Sequence, residues 1–208
     1  RILDGRALGR ALAEAGAARG RRLGVLKAAL KHGQAEVRAR LEARESGAAV
    51  VAANSYLIDG LLRAVLEREA AAAGFAKSEL PLALVAVGGF GRAELAPASD
   101  IDLLFLFERE PDAPARGLVE AVLHLLWDLG LTVGHAARTL EDCLDQARAD
   151  MTIRTSLLES RLLWGRAALF ESLRTRFFDE IAAGSEVEFI AAKLTERDMR
   201  HRKTGDSR

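Results

Sequence analysis

Apolar residues recur at helical spacing through the first third of the chain. Val50, Leu57, Leu61 and Val65 fall seven, four and four residues apart, and Ile58 and Leu62 widen the stripe they form. Residues 1–78 are rich in Ala, Leu, Arg and Glu and contain no proline, so they read as helices almost throughout. Breaks are expected at Gly20, Gly33 and Ser46-Gly47. The stripe is most simply a surface facing a core.

The pattern changes between Ser78 and Pro81. Residues 82–87 form a short apolar run that ends in Gly88-Gly89, as a buried strand feeding a tight turn would. A second run, 101–107, is apolar on both faces beyond its start, so two central strands are expected. Pro111 and Pro114 punctuate a loop before a helix over 115–129, with Gly130 placed to close it. A third strand is expected over 131–138. Thr139 and Asp142 resemble a capping box for a helix through Ala147, and Asp150 is placed to cap another that ends near Gly165. The remainder, to about Lys203, reads as two helices separated near Gly184-Ser185.

This order predicts an α/β (α+β) fold in three regions. An N-terminal helical region over 1–78 precedes a core over 79–150 built on a small mixed β-sheet, and a C-terminal helical region over 151–208 follows. The chain begins at Arg1 without a methionine and stops in the polar run His201-Arg-Lys-Thr-Gly-Asp-Ser-Arg208, so it is expected to be a piece of a longer protein.

Thirty basic and thirty acidic residues cancel, so overall charge gives no sign of a nucleic-acid or membrane partner. Any polyanion must be bound locally. The longest uninterrupted apolar runs are shorter than the roughly 20 residues a membrane helix needs. Cys143 is the only cysteine, which excludes an internal disulfide and a cysteine zinc cluster and fits a reducing cytoplasmic setting.

The segment Val87-Gly-Gly-Phe-Gly-Arg-Ala-Glu-Leu-Ala-Pro-Ala-Ser-Asp-Ile-Asp102 carries the candidate chemistry. Side chains in a strand repeat every two residues, so Asp100 and Asp102 share a face. Two like charges beside an apolar core repel, and a shared divalent cation, Mg2+ for preference, converts that repulsion into coordination. Gly88, Gly89 and Gly91 sit where a strand turns; glycine there permits positive φ and close approach of backbone N–H groups to phosphate oxygens. Arg92 and Ser99 are the nearest side chains able to add hydrogen bonds to phosphate or metal-bound water. A Gly-Gly turn or an Asp-x-Asp is unspecific alone. Their conjunction across two apolar strands is what points to a bound nucleoside triphosphate.

The pattern of Gly-Gly followed by Asp-apolar-Asp on the next strand resembles the DNA polymerase β-like nucleotidyltransferase superfamily. Within it, residues 88–104 are similar to the N-terminal region of the bacterial PII uridylyltransferases, bifunctional enzymes that transfer and remove uridylyl groups in nitrogen regulation. The segments 129–140, 150–163 and 200–207 resemble that family in the expected order. The resemblance implies transfer of UMP from UTP to a tyrosine of the PII signalling protein, with release of pyrophosphate. Asp100 and Asp102 would hold magnesium ions as the catalytic carboxylates, and Gly88 and Gly89 would contact the triphosphate.

One departure stands out. Many superfamily members carry a third carboxylate on a neighbouring strand, whereas 131–138 contains neither Asp nor Glu. His135, an unfilled position or the more distant Glu94 are the alternatives, and Arg138, Arg154 and Arg161 are further candidates to face phosphates. Two rival readings remain: an adenylyltransferase acting on a protein such as glutamine synthetase, and a nucleotide-binding or interaction module without activity.

Overall fold

The computed structural model describes residues 2–76 and 80–184, together with 190, 191, 194, 195 and 198. Three helices come first: α1 (Gly5–Glu14), α2 (Arg19–Glu42) and α3 (Gly47–Ala72). Strand β1 (Leu82–Ala86) leads into a one-turn helix α4 (Gly88–Gly91), and β2 (Ile101–Phe107), α5 (Ala113–Asp128) and β3 (Val133–Thr139) follow. The chain continues through α6 (Leu140–Ala149), α7 (Met151–Leu158), β4 (Arg161–Gly165) and α8 (Ala167–Phe177), which ends in a π-helical turn at Phe178–Ala182.

The four strands make one mixed sheet in the order β3-β2-β1-β4. β1 is antiparallel to β2 and β4, while β2 and β3 run parallel. Alternation along the strands assigns their side chains to two cores. Leu84 and Ala86 of β1 and Leu103, Phe105 and Phe107 of β2 join the core built with α1, α2, α3 and α5. Ala83, Val85, Leu104 and Leu106 point the other way, into a core with α6, α7 and α8. The small mixed sheet flanked by helices is the α/β arrangement that the sequence implied.

Several local predictions match in detail. Thr139 and Asp142 form a reciprocal capping box, Asp150 caps α7 through the N–H groups of Thr152 and Ile153, and Gly130 follows α5 at φ +76°. The predicted break at Gly33 is absent, because α2 runs through it. A Cβ there would collide with Leu57, so this glycine is a contact point between α2 and α3. Gly20 lies in the first turn of α2, and the actual break precedes it, at Gly16 with φ +64°. The helix expected to run on toward Gly165 stops at Leu158, and Arg161–Gly165 is instead the edge strand β4. The last predicted helix, over 185–203, lies largely outside the described residues, as does the segment 200–207.

By length and composition alone, α3 is apolar enough to cross a membrane, which the count of uninterrupted apolar runs had not revealed. Its apolar stripe is spent on internal packing: Leu57, Ile58, Leu61, Leu62, Val65 and Leu66 are all buried. That is the pattern of a core helix. Cys143 is likewise buried, and desolvation pushes its thiol up to about 12, so it is inert at neutral pH.

Candidate active site

The end of the sheet where β1 stops and β2 starts gathers the residues singled out in the sequence. Val87 donates its N–H to the Asp102 carbonyl at 3.2 Å, which ties the glycine turn to the aspartate strand. Asp102 is the second residue of β2 and, by alternation with Leu104 and Leu106, belongs to the face carrying α6, α7 and α8. Its carboxyl pKa is raised, first by desolvation and then by the charge of Asp100. The two carboxylates therefore do sense each other.

The three glycines divide by physical role. Gly88 has φ +60°, a conformation side chains resist, and its open side faces the Asp102 carboxylate. At Gly91 a Cβ would be driven into the backbone carbonyl of Glu159, so close packing excludes any side chain there. Gly89 has neither restriction: a Cβ would meet its nearest atoms at 3.7 and 3.8 Å, ordinary contact distances. Its bare backbone is thus not demanded by the fold. The loop that follows carries two non-glycine residues at positive φ, Ala93 (59°) and Ala98 (65°), a local strain of the kind that clusters at functional sites.

Side chains from α3 and β4 hold this turn and loop. Buried Asn54 donates to the Leu95 carbonyl at 3.1 Å, and the Leu95 N–H donates to the Ser55 hydroxyl at 2.9 Å. Arg161 bridges Asp59 at 2.7 and 3.1 Å and donates to the carbonyls of Phe90 (3.0 Å) and Gly91 (3.2 Å). Its guanidinium also lies over the Phe90 ring. Asn54, Ser55 and Asp59 escaped the sequence reading, although polar residues interrupting an apolar helical stripe were the available signal.

The remaining candidates separate clearly. Arg92 pairs with Glu94 at 2.8 Å and with Glu159 at 2.6 Å, and these carboxylates, Glu94 foremost, raise its pKa. Glu94 is therefore committed to an ion pair. Ser99 is exposed, and its N–H donates to the Ala96 carbonyl. Arg154 donates to the carbonyls of Ala147 and Arg148 at the end of α6. His135 alternates onto the sheet face opposite Asp102, and its ring packs edge-on to Trp127 with centroids 6.1 Å apart. It does not replace a third carboxylate.

The register places Gly134 directly beside Asp102 on the parallel strand β3. A Cβ at 134 would come within 2.5 Å of Asp102 Oδ1, so the absent side chain leaves room that the carboxylate uses. Among the described residues no three His, Cys, Asp or Glu side chains are grouped as a metal cage. The donor set is a carboxylate pair open to solvent, which suits a hard cation that keeps water and substrate oxygens among its ligands. A groove of about 370 Å³ runs from Asp102 along β3 to Arg138, walled by Val87 and by Thr152, Ile153, Ser156 and Leu157.

Carboxylates at a strand start, a bare glycine turn and an adjoining groove meet at one end of a small mixed α/β sheet. Over most of its length the chain is homologous to the N-terminal region of enzymes named bifunctional uridylyltransferase/uridylyl-removing enzyme. It is 50% identical to that of Azospirillum brasilense over 185 residues, which is 88% of this chain and 20% of the relative. It is 45% identical to that of Rhodospirillum rubrum over 201 residues, 91% of this chain and 21% of the relative. With that of Novosphingobium aromaticivorans it shares 41% identity over 216 aligned residues, all of this chain and 24% of the relative. The chain thus spans between a fifth and a quarter of the length of these relatives. No family model matches it. A solved structure titled "Crystal structure of the toxin-antitoxin with AMP-PNP" aligns at 17% identity and a TM-score of 0.38, covering 63% of this chain and 96% of that one. A likeness that slight carries no argument.

Proposed function

We propose that the chain is the uridylyl-transferring part of a bifunctional uridylyltransferase/uridylyl-removing enzyme, moving UMP from UTP to a tyrosine of PII and releasing pyrophosphate. The observation that carries this reading is the Asp102 carboxylate, held between the Gly88 turn and Gly134 with Asp100 in electrostatic contact. The 41 to 50% identity to enzymes so named supports it.

Asp100 and Asp102 would hold magnesium, which when bound neutralises triphosphate charge and lowers the pKa of an attacking hydroxyl. The chain's own residues supply position. Backbone N–H groups at the start of α4 lack intrahelical acceptors and, with no side chain on Gly89, are open to phosphate oxygens. Arg161, Asn54 and Ser55 fix the turn and loop from behind, so that little reorganisation is needed when substrate binds. The tyrosine oxygen bonds to the α-phosphorus as the bond to the β-phosphate oxygen breaks, and the tyrosine proton passes to solvent or a basic oxygen at the site. No covalent enzyme intermediate is needed.

A second reading, a nucleotide-binding module without activity, draws on one observation: no third carboxylate stands beside the pair among the described residues. Incubation of the chain with UTP labelled at the α-phosphate, magnesium and PII separates the two. Label on PII supports transfer; magnesium-dependent UTP binding without label on PII supports the module. ATP in place of UTP tests the adenylyltransferase alternative.

A further inference from the structure

The geometry points to Arg138 as a specificity-determining residue that reads the base of the bound nucleotide, donating from its guanidinium to the O4 carbonyl oxygen of a uracil ring. This rests on the proposed function and adds the part of the substrate that the glycine turn and aspartates leave unread.

The two other arginines offered as phosphate ligands are already committed. Arg154 is bonded to the carbonyls of Ala147 and Arg148, and Arg161 to Asp59, Phe90 and Gly91. The Arg138 side chain lines the groove and makes no hydrogen bond or ion pair with any of the described residues. It shares the sheet face of Gly134 and Asp102, since residues 134, 136 and 138 alternate onto one side of β3. Asp142 and Asp150 lie within electrostatic reach and keep the guanidinium from being an isolated charge.

Distance argues against a phosphate ligand. Arg138 follows Gly134, the register partner of Asp102, by four residues, or about 13 Å along the strand. A nucleotide whose α-phosphorus lies at the aspartates reaches that far with its base, while its β- and γ-phosphates stay near the cation and the glycine turn. The groove between is also wrong for a polyphosphate and right for a ring: Val87, Ile153 and Leu157 give it apolar walls, and Ser156 adds a hydroxyl.

A guanidinium only donates hydrogen bonds. Uracil presents a carbonyl oxygen at position 4, where cytosine carries an amino group, and adenine likewise carries an amino group at position 6. Setting an amino donor against the Arg138 donors leaves polar groups unpaired in a partly enclosed groove, which is how a site rejects a near-isostere. Arg138 thereby favours uridine nucleotides over cytidine and adenosine nucleotides.

The test is calorimetric titration of the chain, in magnesium, with UTP, CTP, ATP and inorganic triphosphate, for the wild type, Arg138→Gln and Arg138→Lys. UTP affinity is expected to fall at least about tenfold in Arg138→Gln, with triphosphate affinity unchanged and the UTP over CTP preference lost. Arg138→Lys keeps the charge but not the planar fork, and is expected to lose the same preference. Unchanged triphosphate binding certifies a folded site in either variant. Parallel loss of triphosphate and UTP affinity in a folded variant, or UTP binding and preference equal to wild type in both, overturns the assignment. A wild type that binds triphosphate but not UTP overturns it together with the proposed function, whereas wild-type UTP binding with indifferent variants removes the Arg138 role alone.

Discussion

The Asp102 carboxylate occupies the space that a side chain on Gly134 would need: a Cβ at 134 would stand 2.5 Å from Asp102 Oδ1. The two residues are register partners on parallel strands, so the clash falls on the tip of one flexible side chain and not on backbone. Gly134→Ala should therefore leave stability nearly unchanged, within about 1 kcal/mol, while turning the carboxylate away from its position. The expected outcome is weaker magnesium-dependent UTP binding with an unaltered melting curve, measured by calorimetry and thermal denaturation.

Alanine replacements at Gly89 and Gly91 should behave in opposite ways. At Gly91 the new methyl meets the Glu159 and Ala86 carbonyls, fixed backbone that cannot move aside, so a loss of about 3 kcal/mol is expected in urea denaturation. At Gly89 nothing stands closer than 3.7 Å, so Gly89→Ala should fold as well as wild type and lose nucleotide affinity. Equal stability losses in the two variants would remove the distinction between a packing glycine and a ligand-facing one.

Arg161 joins β4 to α3 through Asp59 and to the glycine turn through two carbonyls. Arg161→Met leaves Asp59 and those carbonyls without this partner and should cost about 2 kcal/mol. Arg161→Lys retains charge but not the bidentate fork, so it should recover only part of the loss. Denaturant titration of both variants checks this order.

The raised pKa of Asp102 has a consequence for stability without metal. A carboxyl that binds its proton more tightly when folded stabilises the fold fully below its unfolded pKa, and that contribution is lost as pH rises through the folded value. At neutral pH the ionised group is therefore a burden. Asp102→Asn should unfold at higher temperature than wild type at pH 7 in chelator, and the advantage should vanish as pH falls below the ordinary carboxylate range. Magnesium should narrow the difference at pH 7 by stabilising wild type selectively.

Much of the fold was legible because its signals are local. The apolar runs gave β1 and β2, and Thr139, Asp142 and Asp150 announced two helix starts through side-chain chemistry that acts over three residues. β4 was not legible: Leu162, Leu163 and Trp164 are too few to show a period, and they follow a helix of similar composition. Gly33 reads as punctuation in sequence because nothing local reveals that Leu57, 24 residues on, packs against it. In the candidate site, the Asp100–Asp102 interaction and the turn at Gly88 follow from strand alternation and glycine conformation. The sorting of Arg138, Arg154 and Arg161, and the place of Gly134, depend on strand register and helix docking, which no local spacing encodes.

The proposed function makes Asp102 part of the machinery of nucleotidyl transfer. The direct measurement is UMP transfer from α-labelled UTP to PII in magnesium by wild-type chain and by Asp102→Asn of confirmed native circular dichroism. A rate at least about 100-fold lower is expected in the variant, with no loss of thermal stability. Transfer at the wild-type rate by folded Asp102→Asn would remove Asp102 from that role.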